Sequence, residues 1–219
     1  MPSPLDQSTY QVRTEWGADG LARLAPADVV VVVDVLRFSS TVADAVAAGA
    51  SVPLGDAVGW SRNGAAVAAG ADPATSVLVG GLRNASAVAR AVATIQERRQ
   101  ARTSVAVIAA GEVDPRGVLR FAVEDQLGAG AIIAALTDLG IDHTAPDAAV
   151  AAEGFRALRR ALRHMISASG SAREIADGVD ATARMAAAGL VPTTVAEAAE
   201  LDALEVVPVL RNGVFVPFE

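Results

Sequence analysis

The sequence predicts a three-layer α/β/α sandwich, with a mostly parallel or mixed central sheet, helices on both faces and a C-terminal β-hairpin. Three observations carry this expectation. Val29 to Val33 is an unbroken valine run, and β-branched residues without polar alternation make a central strand covered on both faces. Strand-like and helix-like segments then alternate along the chain, the pattern of layered α/β folds. Finally, the apolar runs Val206 to Leu210 and Val214 to Val216 flank Arg211-Asn212-Gly213, and Asn-Gly in that setting marks a hairpin turn.

The elements follow in order. After the valine strand, Ser39 to Gly49 reads as a helix: Ser39, Ser40 and Thr41 are N-cap candidates, Val42, Ala45 and Val46 form an apolar stripe, and Gly49 closes it. Ser51 to Leu54 is a short strand, and Asp56 to Gly70 is a small-residue segment without a clear helical period. Ser76 to Val79 is a strand, Gly80 to Asn84 a loop, and Ala85 to Arg99 a helix. Ser104 to Ala109 is a strand, Ala110 to Arg120 a loop with Gly and Pro, and Val123 to Leu139 a helix. Ala148 to Ala168, Ala172 to Asp177, Ala181 to Ala188 and Val195 to Leu201 read as mostly helical. No repeat or low-complexity linker divides the chain, so residues 1–219 read as one domain.

Composition narrows the function. The chain has 219 residues, 52% hydrophobic and 20% charged, enough apolar surface to fold around a core. Aromatics are 4%, so Ala, Val, Leu and Ile must fill that core. The net charge is −7 and all 18 basic residues are Arg. An acidic chain has no basic face for nucleic acid or anionic lipid, although a local Arg cluster can still hold a small anion. Cys is absent, which removes disulfides, thiolate metal sites and cysteine nucleophiles. The first ten residues lack the pattern of a signal peptide, and runs such as Ala129 to Leu136 fall far short of the roughly 20 residues that span a bilayer. A cytoplasmic protein is expected. The Ala-rich helices of the third quarter allow close packing between subunits, and a homo-oligomer is expected.

In α/β folds, ligands sit beyond the carboxyl ends of the strands, which directs attention to three loops. In the first, Asp34 ends the valine strand, Arg37 offers a planar fork for an oxyanion, and Ser39, Ser40 and Thr41 begin a helix whose free N–H groups favour an anion. The alternative is structural, with Asp34 capping the turn and Arg37 paired to it. The second loop, Gly80 to Ser86, places Asn84 and Ser86 before a helix and serves equally as an anion turn or an ordinary N-cap. The third carries Glu112, Asp114, Arg116 and Arg120, then Glu124-Asp125 at a helix start. Those acids suit either a helix N-terminus or a hard cation such as Mg²⁺. With only His143 and His164, neither beside these loops, and no Gly-x-Ser-x-Gly elbow, a histidine phospho-enzyme or serine triad has no support. Haloacid-dehalogenase-type phosphatases also end a strand in Asp, but carry a second acid where Leu36 stands.

Val31-Val32-Val33-Asp34-Val35-Leu36-Arg37-Phe38-Ser39-Ser40-Thr41 resembles the signature of the 2-phosphosulfolactate phosphatase family. The likeness continues through Asn63-Gly64, Leu78 to Ala89, Ala110-Gly111-Glu112, Phe121 to Gly130 with its acidic pair, and Leu201 to Leu210. The resemblance implies an α/β/α, Mg²⁺-dependent hydrolase of a small phosphorylated anion, 2-phospho-3-sulfolactate. It also implies Asp34 and Arg37 as catalytic residues. Ser39, Ser40, Thr41, Asn63, Gly64, Asn84, Ser86 and Arg120 would bind substrate, and Asp34, Glu112, Glu124 and Asp125 would hold the metal. The chain departs from the family in one stretch. Leu54-Gly55-Asp56 runs almost directly into Arg62-Asn63-Gly64, without the usual Gly-Glu-Arg-rich loop and Asn-Ser-Pro segment, and Ala65 replaces a Thr. A relative that keeps the anion pocket without catalysis is the alternative function.

Overall fold

The computed structural model describes residues 3–114 and 116–219; Met1, Pro2 and Pro115, the last within the expected third loop, lie outside the described residues. The chain opens with β1 (Val12–Trp16) and α1 (Gly17–Arg23), then β2 (Val29–Val33) and α2 (Phe38–Ala47). Next come β3 (Val52–Pro53), α3 (Leu54–Trp60), α4 (Gly64–Ala69), β4 (Ser76–Gly80) and α5 (Ala85–Arg99). β5 (Val105–Ala109), the short ladder β6 (Glu112–Val113) and β7 (Leu119–Arg120), and α6 (Val123–Asp138) follow. The last third holds α7 (Pro146–Leu158), α8 (Leu162–Ser167), α9 (Gly170–Asp177), α10 (Asp180–Ala187), α11 (Val195–Ala198), β8 (Pro208–Arg211) and β9 (Val214–Pro217).

The main sheet has seven strands in the order β1-β5-β2-β4-β8-β9-β3. β1, β5, β2 and β4 are parallel, and β8, β9 and β3 extend the sheet antiparallel. The valine run occupies the middle of the parallel part, and its alternation divides the core. Val29, Val31 and Val33 pack with α5, α6 and α7 on one face. Val30 and Val32 pack with α2, α3 and α4 on the other. Both faces are therefore dry, which is why no polar residue interrupts the run. The α/β/α expectation holds, as does the C-terminal hairpin: Asn212 and Gly213 both take positive φ, of 52° and 79°, the conformation a tight hairpin turn requires.

Three differences from the sequence reading are visible. β1 and α1 were not foreseen, because Val-Arg-Thr-Glu-Trp has too little apolar character to read as a strand on its own. The segment 54–69 forms the two short helices α3 and α4. The expected 148–168 helix breaks at Arg159–Ala161 into a single 3₁₀ turn between α7 and α8.

Register places the working edge. Val33 pairs with Gly80 of β4 and with Ala109 of β5. The chain therefore leaves all three strands at one level, and the three loops singled out above emerge side by side.

Candidate functional site

Asp34 is the first residue beyond β2 and is 7% exposed. Its Oδ1 accepts from Phe38 N–H at 3.3 Å and its Oδ2 from Gly64 N–H at 3.0 Å. The first bond caps α2 and the second caps α4, so a single carboxylate anchors two helix starts. Gly64 has no room for a side chain: a Cβ would stand 2.5 Å from the Phe38 ring and 2.8 Å from Asp34 Oδ2. Burial raises the Asp34 pKa to about 6; the two backbone hydrogen bonds oppose that shift, and the charges of Glu112 and Glu124 add to it.

Arg37 is 8% exposed and donates to the Thr182 hydroxyl on α10, not to Asp34. The peptide between Leu36 and Arg37 is cis. Burial lowers the Arg37 pKa, against the pull of the Asp34 charge. Asp34 and Arg37 open onto one cavity of about 380 Å³, with Asn63 and Glu112 on the same wall. Asn63 Nδ2 donates to Glu112 Oε2 at 3.4 Å. Burial, then the neighbouring Glu174, raises the Glu112 pKa.

The structure brings these four predicted residues together and distributes the others differently. The hydroxyls of α2 serve the fold. Ser39 Oγ donates to Val32 O at 3.0 Å and accepts from Asp34 N–H at 2.9 Å. Ser40 Oγ donates to Val35 O, and Thr41 Oγ1 accepts from Thr193 N–H. Asn84 is 1% exposed and ties Gly81 N–H to the carbonyls of Val79 and Val206. Ser86 is held by Asp202 through both its N–H and its hydroxyl. None of these five lines the cavity. In this structure each of these short polar side chains is engaged by a backbone or carboxylate partner within reach. Gly64 acts from behind, by aiming Asp34. Arg120 faces Glu112 across the β6–β7 ladder, and it stands against Gly170 of α9.

The expected metal set is also rearranged. Asp125 accepts from Val35 N–H at 2.7 Å and Gly111 N–H at 2.9 Å, which clips the first and third loops to α6. Burial and the charges of Asp34 and Glu124 push its pKa well above the ordinary carboxylate value. Glu124 is 2% exposed and lies behind the cavity wall. Among the described residues, no three His, Cys, Asp or Glu side chains converge to hold a metal ion. Asp34 and Glu112 are the two expected ligands that reach the cavity. Their hard oxygens would supply two ligands to a cation whose shell is completed by water and ligand oxygens. Mg²⁺ binds in that way.

The sequence reading missed the far wall, which α9 and α10 supply through Ser171, Glu174, Arg184 and Met185, with Trp60 of α3 beside them. Trp60, one of two tryptophans in an aromatic-poor chain, was the one available signal; nothing in the local pattern distinguished Arg184.

The fold and this site define a doubly covered α/β protein with one mixed acid–arginine cavity at the carboxyl edge of its parallel strands. The chain belongs to the 2-phosphosulpholactate phosphatase family, whose model matches residues 56–213 of the 219, and membership points to phosphatase chemistry. The match begins after the Asp34 loop, so that loop rests on its own residues and geometry. No curated protein matches the chain. Among the described residues, no helix is long and apolar enough to cross a membrane.

Proposed function

We propose that this protein is a Mg²⁺-dependent phosphatase of a small phosphorylated acid, with 2-phospho-3-sulfolactate, cleaved to 3-sulfolactate and phosphate, as the substrate its family suggests. One observation carries the reading. Asp34 is a nearly buried carboxylate on the cavity wall, fixed by two backbone N–H groups and matched by no ion pair among the described residues. Such a group is costly to the fold unless a ligand or cation meets it.

On this reading, Arg37 binds the phosphoryl oxygens and stabilises charge as the ester bond loosens. Asp34 accepts a hydrogen bond from the attacking water and fixes its approach. The water oxygen bonds to phosphorus, the ester P–O bond breaks, the leaving oxygen takes a proton from solvent, and the attacking water gives one back to solvent as phosphate forms. In so loose a transition state, positioning matters more than a strong base. Both Asp34 oxygens already accept backbone N–H bonds, which favours this role over a nucleophilic one. Asp34 and Glu112 would hold Mg²⁺, which supplies neutralisation of phosphate charge when bound.

Asp34→Ala and Arg37→Gln should each lower phosphate release at least about 100-fold while the variants stay folded. An Asp34→Ala protein with undiminished turnover would remove Asp34 from the chemistry.

A further inference from the structure

Four buried side-chain polar atoms have no hydrogen-bond partner among the described residues, and three of them belong to residues of this one cavity: Trp60 Nε1, Asn63 Oδ1 and Arg184 Nε. A buried donor or acceptor left unmatched costs about 1–3 kcal/mol, and folded proteins leave few of them. Three of the four thus fall on residues around one cavity, where the polar groups of the fold are matched least completely. Trp60 is 3% exposed and packs against Phe38 with ring centroids 5.7 Å apart, so its N–H is held on a rigid ring.

Arg184 lies on α10, two residues beyond Thr182, the residue that receives Arg37. It forms no ion pair among the described residues, although Glu174 and Asp180 line the same cavity. α10 is bracketed by Gly178 and Gly189, which take φ of +90° and +75°. Between these turns the helix contributes Asp180, Ala181, Arg184 and Met185 to the cavity lining.

We propose that Arg184 determines specificity by binding the second acid group of the substrate, a carboxylate or sulfonate, through the outer nitrogens of its guanidinium. This assignment rests on the phosphatase reading for the other end of the ligand. Arg37 takes the phosphoryl group beside Asp34 and Glu112, and the Arg184 fork meets a planar or pyramidal oxyanion elsewhere on the lining. A cavity of about 380 Å³ admits a molecule of a few carbons joining the two groups.

The test compares two pairs of probes. Phosphoglycolate and ethyl phosphate are matched substrates with and without the second acid; phosphonoacetate and methylphosphonate are non-hydrolysable phosphonates with and without a carboxylate. The ratio of kcat/KM for phosphoglycolate over ethyl phosphate should fall at least tenfold in Arg184→Gln, and less in Arg184→Lys, which keeps charge without the fork. Binding of phosphonoacetate, read by Trp60 fluorescence in a Trp16→Phe background, should weaken at least tenfold in Arg184→Gln relative to methylphosphonate. Selective loss in the binding assay without any turnover would support Arg184 and overturn the phosphatase reading. Turnover with an unchanged acid-to-alcohol ratio in both Arg184 variants would keep the phosphatase and overturn this proposal. Failure of phosphonoacetate to bind the folded wild-type chain would also overturn it.

Discussion

Asp34 concentrates the physics of the site in one side chain. It gives up solvation, gains two backbone hydrogen bonds, and sits near Glu112 and Glu124. Its pKa is raised from 3.8 to about 6, so protonation favours the folded state. That stabilisation is fully present below 3.8 and is lost as pH rises through about 6. Two pKa units correspond to on the order of 3 kcal/mol as an upper limit. Asp34→Asn cannot ionise, so its stability relative to the wild type should improve as pH rises across that window, measured by thermal unfolding without metal. A difference that stays constant with pH would contradict a buried, uncompensated carboxylate. Gly64 gives a second test at this scale. Gly64→Ala drives a methyl into the Phe38 ring and Asp34 Oδ2, and should cost roughly 1–3 kcal/mol together with most of the activity. Gly59, whose Cβ would meet nothing within 4 Å, is the control: Gly59→Ala should hold or raise stability. Equal effects from the two substitutions would remove the proposed contact.

At the scale of elements, α6 joins the sheet to the outer helix layer. Gly128 lets it approach the end of β2, where a Cβ would come within 2.9 Å of Val33 and 2.7 Å of Val35 in the loop beyond it, and Gly130 lets α7 approach, where a Cβ would lie 2.2 Å from the Ala151 carbonyl. Gly130→Ala should therefore push α6 and α7 apart and destabilise by roughly 1–3 kcal/mol, seen as a lower denaturant midpoint; a neutral result would contradict the close packing. The sequence announced α6 by its apolar content but not the reason for its glycines, because close approach is a tertiary property. The same contrast runs through the molecule. The valine strand, α5 and the Asn-Gly hairpin were legible because burial on two faces, a long helical period and a turn requiring positive φ each leave a local pattern. β1 left none, since it gains its place by pairing with β5 along Val12 to Trp16. At the site, Asp34, Arg37 and Glu112 were legible as strand-end residues, and Asn63 through the family resemblance. The Ser39, Ser40, Thr41, Asn84 and Ser86 side chains were not, because a short polar group that serves the backbone looks the same in sequence as one that serves a ligand. Arg184 was invisible for a third reason: it comes from a helix about 150 residues beyond Asp34.

At the scale of the whole molecule, the parallel strands supply a rigid edge and the last third of the chain supplies a cover. The aligned ends of β2, β4 and β5 bring three loops together, Asp125 clips two of them, and α9 with α10 closes the opposite wall. The outer edge of β1 is occupied from within. The Gln7 side-chain amide donates to Thr14 O and accepts from Thr14 N–H, in place of a neighbouring strand, which guards against edge-to-edge pairing. The shortened connection between β3 and α4, with the helix α3 in it, still delivers Asn63 and Gly64 to Asp34. The central claim is that this assembled cavity hydrolyses a phosphate ester with the help of a hard cation. The most direct measurement is phosphate release by the wild-type protein from a panel of small phosphorylated acids that includes 2-phospho-3-sulfolactate, with Mg²⁺ and with a chelator. The account predicts turnover that requires Mg²⁺ and disappears in Asp34→Ala; a pure, folded protein that releases no phosphate from any of them would contradict it and leave the cavity as an anion-binding site.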